Sequence, residues 1–176
     1  MLVAVVALAP VGVHATVLIP ADLGELAREA IAIVRGRVVA CRATWADDHR
    51  SIETVVTVRV DAWLKGSLGD PVSFRVPGGE LGRYRSIFVG APEFAIDDRV
   101  IVFLAAQGPA VPHVLGLSQG VFRLVPGHDG TGWLVTPPPL LPAAAATRVV
   151  RGDIGRQAMP LADFERHVLS LAGAQP

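Results

Sequence analysis

Ile52-Glu53-Thr54-Val55-Val56-Thr57-Val58-Arg59-Val60-Asp61-Ala62-Trp63-Leu64 decides the fold class. Ile52, Thr54, Val56, Val58, Val60, Ala62 and Leu64 fall on one side of an extended chain. Glu53, Thr57, Arg59 and Asp61 fall on the other, with Val55 and Trp63 among them. A period of two over this length is the mark of a strand with one core face and one wetter face. Upstream, residues 33–45 are rich in Val, Arg and Ala and also suit a strand, and Trp45-Ala46-Asp47-Asp48-His49-Arg50 is a polar turn. Two strands joined by a short polar loop make a hairpin.

Downstream the same punctuation continues. Residues 65–71 form a turn, and Val72, Phe74 and Val76 form the inner face of a third strand, stopped by Pro77-Gly78-Gly79. Residues 83–89 are expected as a further strand, ended by Gly90-Ala91-Pro92. Asp97-Asp98 turn the chain into residues 99–105, where apolar side chains occupy both parities, the pattern of a strand buried on both faces. Residues 115–125 and 131–136 read as another hairpin. Helical spacing occurs twice. Asp22 and Glu25 form a capping-box start before Leu23, Leu26, Ala27, Ala30 and Ile31. Near the other end Leu161, Phe164, Val168 and Leu171 make a stripe suited to docking on the domain. The expectation is a mainly β protein: a small OB-like barrel of about five to seven strands with a short N-terminal helix and a C-terminal helix.

Composition agrees. The chain has 176 residues, 51% hydrophobic and 18% charged, which suits one packed domain and excludes intrinsic disorder. Sixteen basic residues balance sixteen acidic ones, so no global field draws the chain to nucleic acid or anionic lipid. Gly 18 and Pro 14 favour many turns. Residues 2–13 (LVAVVALAPVGV) are uncharged and precede Val13-His14-Ala15, a small-x-small cleavage pattern. We read residues 1–15 as a signal peptide without its usual basic start, leaving a mature chain from Thr16. Pro10, Gly12 and His14 interrupt the run and weigh against the competing reading as a membrane anchor. The expected organisation is a β domain over 16–136, a Pro/Ala-rich linker over 137–160 and a docked helix over 161–172. The expected location is secreted, periplasmic or in the cell envelope, with no stable membrane insertion after cleavage.

Chemistry-bearing motifs are few. Gly116-Leu117-Ser118-Gln119-Gly120 matches G-x-S-x-G, but the nucleophile elbow needs a strand, a sharp turn and then a helix. Here strand-like Val121-Phe122-Arg123-Leu124-Val125 follows, so a glycine-flanked turn is expected, even though Asp153 and His167 come later in triad order. His14, His49, His113, His128 and His167 include no i, i+2 or i, i+4 pair, and no zinc site is expected. Asp47, Asp48 and His49 lack EF-hand spacing. The single cysteine, Cys41, is expected to be buried in a strand and inert. No catalytic residue, metal or cofactor is therefore assigned. The glycine-rich stretch after Pro77 is a turn in which backbone can approach a partner closely, and Glu80, Arg83, Tyr84, Arg85 and Phe88 beside it mix basic, acidic, aromatic and apolar groups. These five are the candidate binding residues.

The run from Glu25 through Phe122 resembles a family of exported bacterial proteins, some found with matrixin-type metalloproteases. The matching pieces are Glu25-Leu26 with Ala30, Val34-Arg35-Gly36-Arg37-Val38, Ile52-Glu53-Thr54, Leu64-Lys65-Gly66, Pro77-Gly78-Gly79 and Gly116-Leu117-Ser118-Gln119-Gly120. The G-R-V, T-x-x-V and L-K-G order is also similar to the OB-type barrel of netrin-like and TIMP-like domains. TIMPs act through a disulfide-tethered N-terminal cysteine, which a mature chain from Thr16 lacks, so the resemblance implies fold more than inhibition. The function expected is a secreted, non-enzymatic binding module with a protein partner, an exported protease being one class. The rivals are a small serine hydrolase using Ser118 and a membrane-anchored structural protein of the envelope.

Overall fold

The computed structural model describes residues 21–106, 111–127, 130, 132–138 and 157–173. The expected signal peptide, His14, His128, Asp153 and most of the Pro/Ala-rich segment lie outside them. The fold is mainly β, with one short helix near each end. In chain order the elements are α1 (Leu23–Glu29), β1 (Ala32–Trp45), β2 (Ile52–Lys65), β3 (Val72–Pro77), β4 (Gly79–Leu81), β5 (Tyr84–Ser86), β6 (Arg99–Ala105), β7 (His113–Val114), β8 (Val121–Pro126), β9 (Trp133–Thr136), β10 (Met159–Pro160) and α2 (Leu161–Gly173).

β1 and β2 form the long antiparallel ribbon that the alternation at Ile52 announces, from Ile33↔Lys65 to Trp45↔Ile52. β3 adds to β2 from Val58↔Val72 to Glu53↔Pro77. β1 also pairs with β6, but only from Ala32 to Arg37, so the far half of the ribbon runs on past β6. β6 pairs with β7, and β7 meets β3 in parallel through the single pair Arg75↔His113. The cycle β1-β2-β3-β7-β6 thus closes by one residue pair, and the sheet continues outward through β8, β9 and β10. With so thin a seam, the large sheet does not form a clear barrel, while the expected mainly β fold with a helix near each end is what the chain adopts. Two residues of the segment read as linker, Met159 and Pro160, join the sheet by pairing with β9.

There are two cores. Inside the curl of the sheet, Val34, Val38, Val56, Val58, Val72, Phe74, Val100, Val102 and Leu104 pack together. On the opposite face of β1 and β6, Ile33, Ile101 and Phe103 meet Phe122, Val135 and the apolar sides of both helices. β6 is therefore buried on both faces, as its double parity implies. Asp22 and Glu25 make the reciprocal capping box of α1, and Lys65 Nζ donates to the carbonyls of Ala27 and Arg28, 2.8 Å each, at its other end. Favourable charge at free helix carbonyls is the reason a lysine suits that place. α2 buries Phe164 and Val168, with the Phe164 ring 4.8 Å from that of Phe122, so the terminal stripe docks on the domain as read.

Candidate functional site

Where the chain leaves β3 it turns back over the face of the β1–β2 ribbon that continues the inner core. The Gly78 N–H donates to Ile52 O at 2.9 Å, and the Thr54 hydroxyl donates to Gly78 O at 2.8 Å. Gly79 has φ +145, and a Cβ there would stand 2.6 Å from Thr54 Oγ1. Only a residue without a side chain lets the backbone cross so near the ribbon. The stretch read as a plain turn thereby starts β4, which pairs with β5 as a separate two-stranded hairpin, Glu80 opposite Arg85 and Leu81 opposite Tyr84. The strand expected over residues 83–89 is only Tyr84–Ser86. Ile87, Phe88 and Val89 lie beyond it, without ladder partners.

Four of the five candidate residues sit on this hairpin and Phe88 follows it. Glu80 and Arg85 form an ion pair of 3.2 Å across the hairpin, both side chains about two-thirds exposed (67% and 65%). Arg83 lies over the Tyr84 ring at 5.1 Å and donates to its hydroxyl at 2.9 Å. Tyr84 in turn meets Trp45, the last residue of β1, in an edge contact of 5.4 Å. Glu80, Arg85 and Phe88 line a cleft of about 350 Å³; Arg83 and Tyr84 are outside its lining, on the hairpin's far end. The cleft's apolar floor is the open end of the inner core, Val56 and Val76 with Phe94, whose ring packs on Phe74 at 5.5 Å. Thr54, Ser86 and Glu93 add polar groups to its wall.

The lip of the cleft is unusual. Ile87 is 75% exposed, Phe88 48% and Val89 65%, three consecutive apolar side chains turned to solvent. The loop carrying them is nevertheless tied down. Ala91 N–H donates to Phe88 O at 3.1 Å, and Ser118 N–H donates to Gly90 O at 3.0 Å. Further along, Asp98 accepts from Ala95 N–H and from Arg123, and Arg123 also donates to the Glu93 carbonyl. Asp98 thus braces the loop, while Asp97, its neighbour in the expected solvated turn, reaches Arg37 at 3.4 Å. A contiguous exposed apolar lip on a braced loop is the feature that makes this surface the candidate site.

The other motifs resolve differently. Leu117–Gly120 is a single 3-10 turn leading into β8, without the helix of a nucleophile elbow. Its glycines have a packing reason: a Cβ at Gly120 would fall 2.0 Å from Leu115 O. Among the described residues no hydrogen bond joins the Ser118 hydroxyl to an imidazole or carboxylate. Gln119 is buried and accepts the Ala21 N–H at 2.6 Å, fixing the entry to α1. Cys41 is in a strand as expected but is exposed, not buried, because β1 pairs with β6 only as far as Arg37 and its later residues are left partly uncovered. Residual burial, helped by the negative charge of Asp98, pushes its thiol pKa up, and the thiol lies 3.7 Å from Phe94 O. Asp48 closes its turn by accepting from Arg50 and Ser51, and these bonds hold its carboxyl below the usual range. Asp47 pairs with Arg75 at 3.1 Å. No cluster of three metal-ligating side chains occurs among the described residues, and none of their helices is long and apolar enough to cross a membrane.

No protein family, curated protein or solved structure was found to match this chain. Reasoning on the sequence placed a binding patch within residues 80–88, Ile87 included, and missed Trp45, Thr54, Val89 and Glu93. The one available signal was the unbroken Ile87-Phe88-Val89 run ahead of Gly90-Ala91-Pro92, which lacks the alternation of a half-buried strand.

Proposed function

We propose that this protein is an exported, non-enzymatic binding module that engages a protein partner through the cleft beside the β4–β5 hairpin. The observation carrying this reading is the exposed Ile87-Phe88-Val89 lip, on a loop hydrogen-bonded at Phe88 and Gly90, at the edge of a cleft floored by the inner core. A rim carried on a hydrogen-bonded loop loses less conformational freedom on association than a free segment, so its burial is available for affinity. Glu80, Arg85 and Phe88 line the recess, and Arg83 and Tyr84 extend the same surface over Trp45. The cyclic order β1-β2-β3-β7-β6, parallel between β3 and β7, supports an OB-type description, a fold that uses its second and third strands and adjoining loops as ligand surfaces. The sequence resemblance suggests an exported protease as the partner class, and the apolar residues 2–13 support passage across a membrane.

Affinity capture from culture supernatant tests the proposal. The wild-type protein is expected to retain a partner that the Ile87→Ser/Val89→Ser variant releases, with circular dichroism unchanged between the two. The exported chain is expected to begin at Thr16 and to give no covalent adduct with a fluorophosphonate. Labelling that disappears in Ser118→Ala would replace this reading with a serine hydrolase.

A further inference from the structure

Resting on that binding reading, the charges around the cleft specify what its partner presents. The lining contains two carboxylates, Glu80 and Glu93, and one cation, Arg85. Arg85 is already engaged by Glu80 at 3.2 Å. Glu93 is exposed and, among the described residues, its carboxylate has no ion pair. Arg123 bonds only its backbone carbonyl and spends its other contact on Asp98. The cleft thus carries one uncompensated negative charge next to an apolar floor.

We infer that the partner inserts a lysine or arginine side chain into this cleft, from a polypeptide segment whose neighbouring apolar residues lie on the Ile87–Val89 lip. Three features fit that side chain. A volume of about 350 Å³ is at the small end of ligand sites and suits a side chain more than a cofactor. A long basic side chain has an aliphatic stem that covers apolar wall, here Val56, Phe88 and Phe94, while its charged tip stays in a wetter place. Glu93 supplies the opposite charge at such a place. An acidic side chain would meet Glu80 and Glu93 together and leave its charge unpaired, so the same groups that accept a basic residue reject an acidic one.

The test uses fluorescein-labelled peptides of the form Leu-Val-X-Val-Leu, with X as lysine, norleucine or glutamate, and fluorescence anisotropy on the full-length mature chain. The lysine peptide is expected to bind about tenfold more tightly than the glutamate peptide at low salt, with norleucine between them. The difference should shrink as salt rises, because the Glu93 carboxylate is solvent-exposed. Glu93→Lys is expected to invert the order without changing thermal stability. Equal affinity for all three peptides, lost in Ile87→Ser/Val89→Ser, would overturn the charge inference and leave the apolar cleft as the binding site. No binding of any peptide at about 1 mM would overturn the cleft reading as well. Binding to anionic phosphatidylserine vesicles, with no discrimination among peptides, would overturn both in favour of a membrane surface.

Discussion

Replacing Gly79 with alanine tests whether the hairpin over the cleft is seated as described. Two costs follow from the geometry. An alanine at φ +145 is in backbone territory that L side chains rarely adopt, a strain of about 1–3 kcal/mol. Its Cβ would also stand 2.6 Å from Thr54 Oγ1, so the hydroxyl must swing away and release its 2.8 Å bond to Gly78 O. A half-buried hydrogen bond of this kind contributes about 1 kcal/mol. The sum is roughly 2–4 kcal/mol, a large share of the 5–15 kcal/mol typical of a whole domain. Equilibrium urea denaturation, followed by circular dichroism and tryptophan emission, measures it. Thr54→Ala alone should cost about 1 kcal/mol, the bond without the strain. The double variant should cost less than the two singles added, because the bond is lost once and the clashing oxygen is gone. A Gly79→Ala protein as stable as wild type, or strict additivity in the double variant, would refute this account of how the hairpin is held.

Phe164→Ala is expected to destabilise the chain by about 3–5 kcal/mol, since the ring is almost fully buried against Phe122. Leu169→Ala on the same helix, half-exposed, should stay within about 0.5 kcal/mol, and chemical denaturation of both variants checks that α2 is integral to the fold. Glu53 is displaced upward in pKa, chiefly by burial and further by Asp47 and Asp48, with Arg75 opposing. The folded chain therefore holds that proton more tightly than the unfolded chain. Its contribution to stability is full below the unfolded carboxylate pKa and is lost as pH rises through the raised folded value. Thermal midpoints of Glu53→Gln relative to wild type should move in the variant's favour between acid and neutral pH; a flat difference would contradict the cause given for the shift.

Much of the scaffold was readable before any coordinates. Alternation from Ile52 to Val60 can satisfy water and core only as a strand, although register shifts near its end put Trp63 against the inner core and Leu64 in the other one. Asp22 with Glu25 can serve each other only at a helix start. Double-parity apolar residues from Arg99 to Ala105 require cover on both sides, which the two cores supply. The candidate site was legible in composition but not in shape. Glu80, Arg83, Tyr84, Arg85 and Phe88 are drawn together by a close approach between Gly79 and Thr54, and the Thr54–Gly78 bond beside it spans 24 positions. A tertiary contact of that kind leaves no periodic trace. Residues 87–89 read in sequence as continuing a strand, but the ladder ends at Ser86 and a braced loop carries Ile87, Phe88 and Val89 outward. Cys41 misled for a related reason: its strand was clear, but where β6 ends is set by pairing register and not by Cys41's own neighbours.

The wall shared by two interiors has a further consequence. β6 and the first half of β1 face the sheet's hollow on one side and the helices on the other, while the hairpin and lip lie at the distant end of the ribbon. The exposed side chains of the lip and hairpin thus stand apart from that shared wall, although Val56 and Val76 of the cleft floor belong to the inner core. The exposed positions Ile87, Phe88 and Val89 can therefore be rewritten one side chain at a time while that wall stays unchanged.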